Sequence, residues 1–234
     1  MYHDTHDANN PAATHYEYVI PATQQQQRFV TDIKTEAFAY MRHLDGWCSE
    51  QKASVLIDII CRVRPKKIVE IGVWGGKSLI PMACALRANE CGKIFGIDPW
   101  DSSASLEEVM HESNRAYWSY ADHELVYSQL KEKISTFTLQ DYIQLIRSTS
   151  EAAPDIIDID ILHIDGNHSE KTSYFDVIKW VPHVKPGGWI IFDDMTWYEN
   201  GIFTTARAIE WLNTHCIKFA QFNDNCTWGI WIKP

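Results

Sequence analysis

The segment VEIGVWGGKS, residues 69–78, constrains this chain more than any other. An apolar, β-branched run carries Glu70, passes through Gly72, Gly75 and Gly76, and opens a helix at Ser78. Glycine has no Cβ, so such a turn lets backbone N–H groups come close to a bound ligand. The spacing excludes two phosphate readings. A dinucleotide fingerprint reads G-x-G-x-x-G, whereas these glycines read G-x-x-G-G. A P-loop needs a glycine five positions before the Gly-Lys-Ser, and Ile71 stands there. What is left is an acid on a strand end before a spaced glycine turn. The plain alternative is a βα turn with incidental glycines.

The rest of the chain repeats the strand–helix alternation. Phe29, Ile33, Phe38 and Met41 fall at helical spacing, Gly46-Trp47-Cys48 breaks it, and Ser49 reads as the N-cap of a helix over Glu50–Val63. Strands follow at residues 67–72, 93–97, 143–146, 159–164 and 189–192, and helices at 78–87, 171–181 and 204–215, with a polar helical region over 102–140. Residues 217–222 and 227–232 read as two strands joined by Asn223-Asp224-Asn225, a hairpin signal. The order predicts an α/β, Rossmann-like, doubly wound fold: a mostly parallel seven-stranded sheet, helices on both faces, and a C-terminal antiparallel hairpin. Residues 1–27, ending in four glutamines, read as a flexible N-terminal arm, and residues 28–234 as a single domain.

At 234 residues and 27.0 kDa, one such domain can bury a full core. A net charge of −10 and a pI near 5.4 argue against nucleic acid or an anionic membrane as partner, since both call for a basic face. They are compatible with a small neutral or cationic substrate. The six cysteines form no C-x-x-C pair, which disfavours a zinc ribbon or a thioredoxin-type site and predicts free thiols in a reduced, cytoplasmic protein. No secretory leader and no ~20-residue apolar span stand out.

Ligands of an open α/β sheet gather at the carboxyl ends of its strands. This chain places acids there repeatedly: Glu70, Asp98, Asp165, Asp193 and Asp194. Such acids repel one another unless something positive is bound. Asp165 ends one strand; Asp193 and Asp194 end the next. If those strands are neighbours, the three carboxylates converge, and an all-oxygen set suits a hard cation such as Mg²⁺. Because side chains alternate in direction, Asp193 and Asp194 need not share one centre. An Asp-Asp turn capping the next segment is the plain alternative. His168, three residues beyond Asp165, is either a proton acceptor beside the acids or a surface histidine; His163, inside the strand, reads as core.

The segments VEIGVWGGKS, GIDPWD, LHIDGNHS and KPGGWIIFDDMTW resemble the small bacterial class I S-adenosylmethionine-dependent O-methyltransferases, with the cephalosporin hydroxylase-like family beside them. The likeness runs from about Gly46 to the C-terminus. It implies that Glu70, Gly72, Val73, Trp74, Gly75 and Ser78 hold S-adenosylmethionine, with Asp98 on the ribose. Trp100 then either stacks on the adenine or belongs to the core, and Ser148 and Ser150 either reach the adenine edge or serve as turn residues. The resemblance also implies Mg²⁺ on Asp165, Asp193 and Asp194. A more distant likeness to catechol O-methyltransferase implies that Trp47, Cys48 and Ser49 line the cofactor site. That enzyme's proton-accepting Lys and its Asp-Asn pair are replaced here by His168 and Asp193-Asp194.

The expected activity is metal-assisted methyl transfer to a hydroxyl of a small molecule, a sugar or an aromatic ring, with Asp165 and His168 as catalytic residues. The aromatic residues Tyr117, Trp118, Tyr120 and Tyr127 and residues 197–203 are the expected acceptor walls, and a homodimer is compatible with the arm. Two alternatives stay open: a metal-dependent hydroxylase on the same scaffold, although no 2-His-1-carboxylate set stands at the strand ends, and a non-catalytic cofactor-binding protein.

Overall fold

The computed structural model of the protein describes residues 24–106, 110–224 and 226–234. Two helices, α1 (Gln24–Met41) and α2 (Glu50–Val63), precede the first strand, β1 (Lys67–Ile71). Then come α3 (Leu79–Ala88), β2 (Lys93–Asp98), α4 (Ser102–Ser105), α5 (Glu112–Tyr120), α6 (His123–Thr136) and β3 (Ile143–Arg147). The second half comprises β4 (Ile159–Ile164), α7 (Glu170–Trp180), β5 (Val184–Phe192), β6 (Tyr198–Glu199), β7 (Ile202–Phe203), α8 (Ala206–His215), β8 (Ile217–Asn223) and β9 (Thr227–Ile232).

Seven strands form one sheet in the order β3-β2-β1-β4-β5-β9-β8. Strands β1 to β5 are parallel, and β9 runs antiparallel between β5 and β8. The chain reverses its winding between β1 and β4, which is where an open sheet forms its crevice. On one face, Ile68, Ile94, Ile161, Ile191 and Ile230 bury against α1, α2 and α3. On the other, Val69, Ile71, Ile97, Leu162, Ile190 and Phe192 pack with Val177 and Trp180 of α7 and Leu212 of α8. Leu56, Ile57 and Ile60 of α2 are at most 1% exposed, and each such side chain contributes about 1.5–3 kcal/mol relative to exposure.

Ser49 is the N-cap expected: its Oγ accepts the Lys52 backbone N–H at 2.9 Å. Three elements differ from the sequence reading. The polar helical region is three helices, because Asp101, His111 and Asp122 each cap a new start. Strand β5 begins at Val184, five residues early: Lys233 beyond β9 pairs with Gly187 and Gly188 and draws that segment into the sheet. Asn200 (φ 46°) and Gly201 (φ 92°) form a tight two-residue turn between β6 and β7, a hairpin written in the Asn-Gly dipeptide. Most of the expected arm, residues 1–23, lies outside the described residues, while Gln24–Gln27 open α1. All six cysteines are free thiols. Among the described residues, no helix is long and apolar enough to cross a membrane.

Candidate active site

The glycine turn is held from below and from the side. Gly72 and Gly76 both adopt φ +82°, a region L side chains avoid. A Cβ at Gly72 would collide with the Asp165 carbonyl oxygen, so the turn lies directly on the end of β4. Trp74, at φ 48°, occupies the left-handed region without being glycine. Asp98 stabilises that conformation: its Oδ2 accepts the N–H groups of Val73 (3.0 Å) and Trp74 (2.9 Å), and its Oδ1 accepts that of Trp100 (2.7 Å). Burial pushes the Asp98 carboxyl upward, and these three donors pull it back only in part. A carboxylate offers about four lone-pair sites, so one direction remains for a ligand.

Trp100 is in the core. Its ring is 1% exposed, it packs 4.6 Å from Tyr127, and its indole N–H donates to the Trp74 carbonyl at 2.9 Å. It supports the turn from beneath and shows no face to the crevice. Ser148 is half-buried just past β3, with its hydroxyl on the Thr149 carbonyl at 3.1 Å. Ser150 is buried beside Asp176, whose carboxyl is pushed up to about 7 by burial while the Ser150 hydroxyl pulls it down.

Beneath the crevice runs a buried polar chain across three strands. Glu70 and His163 are register partners on β1 and β4, and both are fully buried. Glu70 Oε1 accepts the Ser78 hydroxyl and lies 2.9 Å from His163 Nδ1. His163 Nε2 faces Lys52 Nζ at 2.9 Å and Asp193 Oδ2 at 3.3 Å. Burial pushes Glu70 up to about 8. Burial and the Lys52 charge hold His163 well below its ordinary value. Both shifts favour the neutral form of the group. Lys52, 2% exposed, contacts Asp193 directly and lies 3.7 Å from Asp165 Oδ2.

A second layer opens to the crevice. Asp165, His168 and Asp194 are half-buried. His168 Nε2 lies 3.0 Å from Asp194 Oδ2 and 4.0 Å from Asp165 Oδ1, and its ring stacks on Trp197 at 4.4 Å. Burial alone would raise Asp194; the His168 hydrogen bond and the charges of His168 and Lys52 outweigh it and lower the carboxyl. Burial and the neighbouring Asp194 push Asp165 up to about 6, against the pull of Lys52 and His168.

The expected triad of Asp165, Asp193 and Asp194 is thus split. Among the described residues, ligand atoms gather within 4.8 Å as His163–Asp165–Asp193 and as Asp165–His168–Asp194, and neither group contains both Asp193 and Asp194. The cause is local. Asp193 closes the strand facing inward, and Asp194, at φ 50°, turns its side chain to the other side. Asp193 is engaged by Lys52 and His163. The residues present do not fit the Mg²⁺ site expected from the sequence, because an ammonium already stands between two of its three acids.

Lys52 is the residue of the cluster that the sequence reading missed; His163, read as core, is fully buried as expected and also contacts Lys52 and Asp193. Lys52 lies one turn before Leu56 on the apolar stripe of α2, and that misplaced charge was the available signal.

Above the turn stands an aromatic wall. Trp74 meets Trp118 at 5.1 Å and His123 at 5.3 Å; Trp47 meets Tyr117 at 5.7 Å and Trp118 at 5.9 Å. Tyr120, 89% exposed, points away, and Tyr127 lies under Trp100. Cys48 is inert as a nucleophile at neutral pH, since burial pushes its thiol up to about 12. A cavity of about 540 Å³ opens elsewhere, between Met195, Phe203 and α8, with no carboxylate of the cluster in its wall.

Comparison with known proteins places this geometry. A family described as "Methyltransferase domain" matches residues 69–195. The uncharacterized protein y4gI of Sinorhizobium fredii is 29% identical over 150 residues, which is 61% of this chain but only 14% of that protein. An O-methyltransferase from Bacillus cereus, solved with S-adenosylhomocysteine, superposes with TM-score 0.59 at 15% identity, covering 93% of this chain and 94% of that one. TomG of Streptomyces achromogenes, an O-methyltransferase involved in tomaymycin synthesis and solved with S-adenosylmethionine, gives 0.58 at 13% identity over 95% of both chains. The O-methyltransferase NovP gives 0.56 at 17% identity over 78% of both. At these identities the structural likeness speaks to the fold.

Proposed function

The chain belongs to the class I S-adenosylmethionine-dependent methyltransferase family, and on that premise we propose that it methylates a hydroxyl oxygen of a small molecule, a sugar or an aromatic ring. The observation that carries the reading is the contact between the glycine turn and the acid cluster: Gly72 lies on the Asp165 carbonyl, so a ligand over the turn abuts Asp165, His168 and Asp194.

The turn fits S-adenosylmethionine. Gly72, Gly75 and Gly76 let the turn pack closely on Asp165, Asp45 and Leu130, and the remaining acceptor direction of Asp98 suits a ribose hydroxyl. When bound, the cofactor supplies an electrophilic sulfonium methyl open to in-line displacement. The protein's own groups do the rest. Asp194 lies against the Nε2 side of the His168 ring and the Trp197 face stacks on its plane, which sets the imidazole beside the acids to accept the acceptor's hydroxyl proton. The imidazolium so formed is stabilised by Asp194 and Asp165. Trp74, Trp118 and Trp47 shield the methyl donor's side from water and offer a flat face to a sugar or a ring. No step is assigned to a metal ion. The hydroxylase alternative is disfavoured by donor chemistry: each candidate ligand group has one histidine and two carboxylates, the reverse of a 2-His-1-carboxylate set.

Calorimetric titration with S-adenosylhomocysteine tests the reading. Binding at about micromolar strength supports it and justifies a screen of hydroxylated acceptors. Absence of binding overturns it.

A further inference from the structure

Lys52 is a lysine whose ammonium is buried among acids at the carboxyl edge of the sheet. Buried lysines persist only when paired. An ammonium has three N–H donors; two acceptors engage it, Asp193 Oδ2 in contact and His163 Nε2 at 2.9 Å, and Asp165 Oδ2 forms an ion pair with it at 3.7 Å. An ammonium can only donate, so its contact with Nε2 calls for the His163 tautomer whose proton sits on Nδ1, the nitrogen 2.9 Å from Glu70 Oε1. Trp228 closes the position from one side, its ring centre 5.9 Å from Nζ.

The backbone is anchored as well. Ser49 Oγ accepts the Lys52 N–H and donates to Asp224 beside the β8–β9 turn, which ties the first turn of α2 to the sheet edge. Lys52 is thereby aimed at the acids by its own helix cap.

We propose that the Lys52 ammonium is the resident cation of this acid cluster, standing in the position a divalent ion would take, and that the protein binds its cofactor and works without a divalent metal. A divalent ion among His163, Asp165 and Asp193 would meet the ammonium nitrogen inside its own coordination shell. Mg²⁺ in particular needs near-octahedral oxygen ligands at about 2.0–2.1 Å, and the cage offers an imidazole and two carboxylates whose Oδ2 atoms face the ammonium, with Asp193 Oδ1 the buried oxygen left without a hydrogen bond. In the crevice group, His168 pairs with Asp194 at 3.0 Å and Asp165 lies 3.7 Å from the Lys52 ammonium, so a divalent ion entering there would have to displace both pairings. Lys52 touches no reacting atom in this arrangement. It is a positioning residue that fixes Asp165 and Asp193 and supplies their countercharge.

The test uses Mn²⁺ as the probe, read by the loss of its free paramagnetic signal and by thermal melting, on wild type and on Lys52→Ala and Lys52→Met. Wild type is expected to bind Mn²⁺ more weakly than about 1 mM, to show no Mn²⁺-dependent rise in melting temperature, and to keep its S-adenosylhomocysteine affinity in a chelator. Lys52→Ala is expected to gain a Mn²⁺ site at least about 100-fold tighter that is lost again when Asp193→Asn is added. A merely structural lysine would lower the melting temperature without creating that site. One tightly bound Mn²⁺ per wild-type chain overturns the proposal, as does a folded Lys52→Ala or Lys52→Met that takes up no Mn²⁺. If both variants fail to fold, the wild-type titration decides alone. Metal binding is read apart from cofactor binding. A wild type that binds neither Mn²⁺ nor S-adenosylhomocysteine therefore overturns the methyltransferase reading and leaves the cation assignment standing.

Discussion

Gly72 lies flat against the backbone carbonyl of Asp165, so that a side chain at residue 72 would occupy the carbonyl's own position and fall 2.7 Å from the Cα of Gly166. The Asp165 N–H donates to the Ile71 carbonyl at 2.8 Å in the same place. The glycine turn and the acid-bearing end of β4 are therefore one structural unit. Gly72→Ala adds a backbone clash to the strain of φ +82°. We expect a loss of about 3–5 kcal/mol in stability, seen as a lower urea midpoint, together with lost S-adenosylhomocysteine binding. An unchanged midpoint would show that β1 and β4 are not in contact there.

His168 is separated from the cofactor turn by Asp165, which lets chemistry and binding be told apart. His168→Gln removes the proposed proton acceptor but keeps a polar side chain beside Asp194. Turnover with an accepted hydroxyl substrate should fall by about 10²–10⁴-fold, with S-adenosylhomocysteine affinity within a factor of about three of wild type. Equal losses in both quantities would place His168 in cofactor binding instead.

The fold was legible because its signals are periodic. The runs at Ile68–Ile71 and Ile159–Ile164 announce buried parallel strands, and the glycines at 72, 75 and 76 announce the turn between β1 and α3. The candidate site was legible only as far as strand ends locate acids. Which way Asp193 and Asp194 point depends on the left-handed backbone at Asp194, which no spacing rule encodes. Lys52 reaches the cluster from a helix more than a hundred residues away in sequence from Asp165 and Asp193, and its partners are fixed by tertiary packing. Trp100 was open between core and ligand face, and the hydrogen bond from its indole to the Trp74 carbonyl decided for the core.

Glu70 gives a pH signature of the buried chain. Its carboxyl rises from 4.5 to about 8 on folding, mainly through burial. The folded state then holds a proton that the unfolded state releases. The stability this group contributes is fully present below about pH 4.5 and is lost progressively as pH rises through about 8. Glu70→Gln keeps the neutral shape and removes the titration. Its urea midpoint should fall less than that of wild type between pH 6 and pH 8.5, and its Gln side chain should still accept from Ser78 and His163. Parallel pH profiles for the two proteins would mean that Glu70 is ionised in the fold.

Asp98 separates two roles that one carboxylate can fill. Three backbone N–H groups, from Val73, Trp74 and Trp100, already point at it, and Trp74 needs that support to stay at φ 48°. If Asp98 acts only as this clamp, Asp98→Asn should loosen the turn and weaken S-adenosylhomocysteine and S-inosylhomocysteine or 2′-deoxy analogues in equal proportion. If its remaining acceptor site also takes a ribose hydroxyl, the wild type should prefer the ribose ligand over its 2′-deoxy or 3′-deoxy form, and Asp98→Asn should erase part of that preference. Hydrogen bonds to a charged group are worth about 1.5–3 kcal/mol, so the discrimination expected from the second role is about 10–100-fold in affinity. We expect that discrimination in the wild type and a reduced one in Asp98→Asn. Calorimetry with the matched ligand pair decides it, and equal affinities of the wild type for both ligands would confine Asp98 to the turn.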